Sequence, residues 1–236
     1  MKELLVVNLG RTKYADAWEL QKKIFAARLA QRIGDVLLLT EHDHVYTLGK
    51  AADENHLLAK NEELSKNGVD VFWIDRGGDI TYHGPGQIVG YLIIDLNQHY
   101  TDIHRYLRQI EEAIIRSLQE YGIAAGREPE FTGVWVKDEK IAAIGVKVSK
   151  WITMHGFALN VNTDLSHYDR IIPCGIFHKG VTTLQSILNK EIPLIDVHRH
   201  LIDHFAQLFG WEIKQITTDE LHIMLHHNEA ALEETL

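Results

Sequence analysis

The run Ile88-Val-Gly-Tyr-Leu-Ile-Ile-Asp-Leu96 constrains the fold most. Its density of branched side chains reads as a strand buried on both faces, which belongs in a covered sheet. Amphipathic helices are there to cover it. Tyr14, Trp18, Phe25 and Leu29 fall on one stripe and predict a helix over 14–29, ended near Gly34. Ile103, Leu107, Ile110, Ile114, Leu118 and Tyr121 form a second stripe, capped from Thr101 or Asp102 and stopped by Gly122. Leu194, Val197, Leu201, Phe205 and Leu208 mark a third long helix that stops at Gly210.

Further strands are expected at 4–8, 36–40, after His44, 69–74, 133–137, 140–148 and 151–161, with Asp138-Glu139 turning a hairpin. Short helices are expected at about 61–67 and from Thr182-Thr183 toward Leu188. Trp211 opens a further strand, and 219–236 reads as a polar helical tail. At 236 residues, with no repeat, low-complexity tract or Pro/Ser linker, this pattern fits a single α/β domain over 1–236, in which 211–236 is a candidate C-terminal extension.

Apolar residues make up 45% and charged residues 24%, an ordinary globular balance. The formal net charge of −9 disfavours nonspecific binding to nucleic acid or anionic lipid. An acidic partner would need a local basic patch, for which Lys147, Lys150, Arg170 and Lys179 are candidates, although scattered lysines are more often a solvated surface. The opening apolar run is too short for a signal peptide, and no stretch would span a bilayer, so the expected location is the cytoplasm, without a membrane partner. The histidines show no metal-ligand spacing, and no metal is expected.

Cys174 is the only cysteine, which rules out an internal disulfide. It lies in Ile171-Ile-Pro-Cys-Gly175, where proline stiffens the approach and glycine lets a ligand come close to the backbone. Such a turn can present a nucleophilic sulfur, although a free cysteine is more often a small buried hydrophobe. A thiolate needs a neighbouring cation, and Lys140, His83 and His155 are the candidates. Taken singly, each has a plainer reading as a hairpin-surface lysine, a turn histidine and a half-buried strand histidine. The glycine-rich Arg76-Gly-Gly-Asp-Ile-Thr-Tyr-His-Gly-Pro-Gly-Gln87 fits neither a phosphate loop nor a dinucleotide fingerprint.

Read together, that segment, Lys140-Ile-Ala-Ala-Ile-Gly145, His155-Gly-Phe-Ala-Leu-Asn-Val-Asn162 and Ile172-Pro-Cys-Gly175 resemble the lipoyl(octanoyl) transferase family. Glu41-His42 with Val45-Tyr-Thr-Leu-Gly49 resembles its N-terminal motif, so the likeness runs in one order from about 40 to 190. It implies the α/β fold shared with biotin and lipoate protein ligases, a mixed sheet flanked by helices. It implies Cys174 as the acyl-thioester nucleophile and Lys140 as the lysine that lowers its pKa. Arg76, Gly77, Gly78, Asp79, Ile80, Thr81, Tyr82 and His83 match segments that bind the acyl substrate, as do Ala143, Ile144, Gly145, Gly156, Phe157 and Ala158. His155 stands in a family motif as an auxiliary without an assigned role.

The implied reaction moves an octanoyl group from octanoyl-acyl carrier protein to a lysine of lipoyl domains, those of 2-oxoacid dehydrogenase complexes and of the glycine-cleavage H protein, with no cofactor. Backbone amides at Gly77-Gly78 and Cys174-Gly175 are the expected oxyanion donors. The competing readings are an ATP-dependent lipoate or biotin ligase of the same fold and a non-catalytic acyl-carrier or lipoyl-domain binding protein.

Overall fold

The computed structural model describes residues 2–59, 64, 66, 68–172 and 180–233. Its main sheet has eight strands: β1 (Lys2–Thr12), β2 (Asp35–His42), β6 (Gln87–Ile93), β7 (Val134–Val136), β8 (Glu139–Ser149), β9 (Ile152–Asn160), β10 (Gly180–Val181) and β11 (Trp211–Gln215). Their order is β10-β8-β9-β6-β2-β1-β11, with β7 paired to β8. A second sheet of three strands, β3 (Val45–Leu48), β4 (Asp70–Trp73) and β5 (Ile80–His83), runs in the order β4-β3-β5.

The two-faced burial expected of 88–96 holds, since every residue of β6 is buried and the strand lies between β2 and β9. Along β1, strand alternation sends Leu4 and Val6 to one face and Leu5 and Val7 to the other. The first face carries α2 (Ile103–Gln119) and α4 (Leu194–Phe209), through Tyr106, Ile110, Ile114, Val197, Leu201 and Phe205. The second carries α1 (Tyr14–Leu29), through Ala17, Leu20 and Ile24. Asp102 caps α2 by accepting the Arg105 amide at 3.0 Å, and α3 (Leu184–Leu188) is capped by Thr183.

Two differences have local causes. β11 pairs in parallel with Lys2–Val6 at the sheet edge, and Leu221 and Leu225 of α5 (Thr218–Glu233) are buried against the α1 face, so the polar-looking tail carries an apolar stripe. Ile80–His83, read only as part of the glycine-rich segment 76–87, is a strand paired antiparallel to β3. Of the helix expected at about 61–67, Leu64 and Lys66 are helical, and the rest lies outside the described residues.

Candidate active site

The site grows from the β8–β9 hairpin. Lys150 and Trp151 turn it with φ of 51° and 64°, the left-handed pair that matches the twist of the flanking strands. The register then sets Ala143 beside Ala158, Ile144 beside Phe157 and Gly145 beside Gly156. The two expected substrate segments are therefore cross-strand neighbours. Both glycines answer close backbone approach: a Cβ on Gly156 would lie 2.2 Å from the Gly90 carbonyl oxygen, and one on Gly145 would lie 2.8 Å from that of Gly77.

The segment 75–79 crosses above this floor and is fastened on both sides. Gly77 N–H donates to Val146 O at 2.9 Å, while Lys50 and Ala51 donate to the carbonyls of Arg76 and Gly78 at 3.0 and 3.1 Å. The buried Arg76 guanidinium donates to Thr47 O at 2.7 Å and to Thr47 Oγ1 at 3.0 Å. Farther on, Glu41 Oε2 accepts the Gly86 amide at 2.7 Å, which fixes the turn between His83 and Gln87.

Between floor and crossing segment lies a cavity of about 790 Å3, counting the open space at its mouth. Of the expected residues, Arg76, Gly78, Asp79, Ile80, Thr81 and His83 line it. So do Lys140, Ala143, Ile144, Gly145, His155, Gly156, Phe157 and Ala158. Gly77 and Tyr82 do not. Tyr82 points to the other side of β5, where its hydroxyl meets His44 Nδ1 at 2.7 Å and its ring stacks on His167. The Gly77 amide, expected as an oxyanion donor, already serves Val146, so that expectation is corrected; Gly78 is the described member of the pair that reaches the cavity.

Sequence reasoning did not place Tyr14, Val89, Tyr91, Asn160 or Tyr168 here, and all five line the cavity. Tyr14, from the start of α1, stacks on His83 with ring centroids 6.0 Å apart. His83 Nδ1 donates to Gln87 Oε1 at 2.8 Å, and Gln87 Nε2 donates to Asn160 Oδ1 at 2.9 Å and to the Tyr168 hydroxyl at 3.2 Å. Asp75 was also missed. It accepts His155 Nε2–H at 2.9 Å and Lys147 Nζ at 2.5 Å. The only signal for it was its position next to Arg76.

Electrostatics separates the three candidate cations. Desolvation pulls His83 down to about 3, assisted by His42, and pulls His155 down to about 4 against its bond to Asp75. Both rings are neutral at pH 7 and cannot stabilise a thiolate by charge. His155 is also fully buried rather than half-buried. Burial pushes the Asp75 carboxyl up, but the hydrogen bonds from His155 and Lys147 outweigh it and hold it at about 2. Lys140 is the remaining candidate, half-buried on β8, with Nζ 4.9 Å from the centroid of the Trp135 ring.

Cys174 and its neighbours in 173–179, Lys179 included, lie outside the described residues. The flanks of that segment are fixed at the cavity. Ile172 N–H donates to His56 O at 2.9 Å, and His56 Nδ1 lies 2.6 Å from Oδ2 of the lining residue Asp79. On the far side Val181, itself in the lining, pairs with Lys140 in the β10–β8 register. Of the candidate basic residues that are described, Lys147 lies on β8 and Lys150 beside it, and the Arg170 carbonyl receives the Leu58 amide.

Comparison with known proteins agrees with this architecture. Residues 13–206 match the family described as the lipoyl protein ligase A/B catalytic domain. The octanoyltransferase of Rubrobacter xylanophilus is 55% identical over 203 residues, spanning 85% of this chain and 91% of the relative. That of Christiangramia forsetii is 48% identical over 230 residues, spanning 90% and 98%. The bipartite lipoate protein ligase of Thermoplasma acidophilum superposes with a TM-score of 0.74 at 18% identity over 96% of this chain and 92% of that one, a likeness of fold. Biotin protein ligase from Aquifex aeolicus superposes more loosely, with a TM-score of 0.51 at 12% identity over 89% of this chain and 70% of its own. With its mixed sheet, flanking helices and motifs in the expected order, this chain belongs to the lipoyl protein ligase A/B catalytic-domain family.

Proposed function

We propose that this chain is an octanoyltransferase of lipoate biosynthesis that passes an octanoyl group through a thioester on Cys174. The relatives' shared name supports the transfer. The observation that carries the covalent route is the pairing of Val181 with Lys140 at an apolar cavity, because it fastens the residues that follow the Cys174 segment beside the candidate lysine.

The donor is octanoyl-acyl carrier protein. The Cys174 thiolate, assisted by the Lys140 ammonium, attacks its thioester carbonyl, and the carrier's thiol departs. Val89, Ile80, Ile144, Phe157, Ala158 and Val181 offer the acyl chain an apolar wall, and burying its six methylenes contributes ~5 kcal/mol at roughly 0.8 per CH2. A lysine of a lipoyl domain then takes the acyl group as an amide. The lipoyl domains of 2-oxoacid dehydrogenase complexes and the glycine-cleavage H protein are the proposed acceptors; the archaeal ligase of similar fold was described together with its E2 lipoyl domain. An amide is lower in energy than a thioester, so the reaction proceeds without ATP or cofactor. The catalytic unit is the single domain 1–236, and the proposed compartment is the cytoplasm, which suits a chain with one cysteine. Among the described residues no helix is long and apolar enough to cross a membrane.

The test compares two donors for modification of a lipoyl domain: octanoyl-acyl carrier protein without ATP, and free octanoate with ATP. Modification by the first supports the transferase. Modification by the second alone assigns the chain to the ligases, and none by either leaves a binding protein.

A further inference from the structure

Among the described residues that line the cavity, His155 carries a buried ring nitrogen without a hydrogen-bond partner. His155 sits within β9 at φ 63°, a left-handed conformation that non-glycine residues keep only where their surroundings fix it. Its amide donates to Gln21 Oε1 at 3.0 Å. Its Nε2 lies 2.9 Å from Asp75 Oδ1, and Asp75 Oδ2 receives Lys147 at 2.5 Å. An ionised carboxylate only accepts hydrogen bonds, so the ring proton resides on Nε2 and Nδ1 carries a lone pair. Nδ1 is buried and has no hydrogen-bond partner among the described residues, in a side chain that lines the cavity. An unmatched acceptor in such a place awaits a donor.

The chemistry supplies one. On the covalent reading the Lys140 ammonium serves the Cys174 sulfur, first as attacking and then as leaving thiolate. The attacking amine needs its own proton acceptor. Burial disfavours a further fixed cation beside His155, Asp75 works against this, and Arg76 and Lys147 add to it, which favours entry of the acceptor lysine as a neutral amine.

We propose that His155 Nδ1 takes the proton of the acceptor lysine's amine as it attacks the octanoyl-enzyme, with Asp75 as the positioning residue that fixes the ring. The inference rests on the covalent reading given above. The amine nitrogen forms its bond to the acyl carbon, and the carbon–sulfur bond breaks with its electron pair on sulfur. The nitrogen's proton passes to Nδ1 and later to solvent. The Asp75 carboxylate stabilises the transient imidazolium, as an acid behind a histidine does in triads.

The experiment measures the two half-reactions separately on the full chain. Acylation by octanoyl-acyl carrier protein is followed by intact mass, and transfer from the isolated octanoyl-enzyme to a lipoyl domain is followed in a single turnover. His155→Gln should slow transfer relative to acylation by about 100-fold or more, the usual contribution of a placed base, so that acyl-enzyme accumulates. His155→Gly, which relaxes the φ of 63°, should show the same imbalance. Asp75→Asn removes the charge that stabilises the imidazolium and should shift the ratio in the same direction. A ratio within threefold of wild type in both His155 variants overturns the proposal, whether the two rates are kept or fall together. Absence of any adduct on wild type refutes the covalent reading instead.

Discussion

Val181 lies beside Lys140, one step in register from Gly180 beside Glu139, where the short β10 joins the edge of β8. The chain that follows the Cys174 segment is thus fastened at Gly180 and Val181 to the strand that carries the lysine. Sequence separation gives no hint of this neighbourhood, because a parallel pairing links segments about forty residues apart.

Removing that lysine tests its electrostatic role. A thiol at its ordinary pKa is only a few per cent thiolate at pH 7, so Lys140→Ala should slow acylation by roughly 30-fold there. The deficit should shrink as the pH approaches 9, where the thiol ionises unaided. Acylation rates against pH for both proteins check this, and a pH-independent deficit would assign Lys140 another role.

Gly156 and Gly34 make a matched pair for packing. A Cβ at Gly156 meets backbone at 2.2 Å, which neither β9 nor β6 can yield cheaply, whereas one at the exposed Gly34 meets nothing within 4 Å. Gly156→Ala should destabilise by ~1–3 kcal/mol and Gly34→Ala by less than about 0.5 kcal/mol, read as shifts of the urea midpoint.

Four buried histidines predict acid sensitivity. Desolvation lowers His42, His155 and His198 to about 4 and His83 to about 3. Above pH 6.5 these rings are neutral both folded and unfolded. Below it the unfolded chain takes up protons that the folded chain refuses, so stability falls with pH toward 4, by up to about 1.4 kcal/mol per pH unit for each ring. Urea unfolding at pH 7 and pH 5 should show a clearly lower midpoint at pH 5.

A buried ion pair away from the cavity separates stability from activity. Arg28 donates to Asp35 at 2.9 Å with both side chains 3% exposed, and its other end lies 3.6 Å from Asp95. Arg28→Ala leaves two buried carboxylates without their cation and should destabilise by ~3–5 kcal/mol. Among molecules that remain folded, kcat and KM should stay at wild-type values, because Arg28 does not line the site.

Much of this was legible in the chain. The Tyr14 stripe gave α1 its bounds, and the dense run at 88–96 gave the central strand, because period and branching are properties of adjacent residues. The cavity gathers fourteen of the expected site residues, because its floor is one hairpin and its cover one glycine-rich segment. Tyr82 was misplaced since the glycines around it masked a four-residue strand, and without the strand there was no alternation to turn it away from Thr81 and His83. Tyr14, Tyr91 and Tyr168 could not be read at all. They arrive from α1, β6 and the turn after β9, and only the folded sheet brings those elements together.

The central claim is that Cys174 carries the acyl group. Intact mass spectrometry of wild type and Cys174→Ala after exposure to octanoyl-acyl carrier protein measures it directly. The account predicts a single octanoyl adduct on wild type, released when a lipoyl domain is added, and none on the variant. An unmodified wild type that still octanoylates the domain, or an adduct that survives in Cys174→Ala, would contradict it.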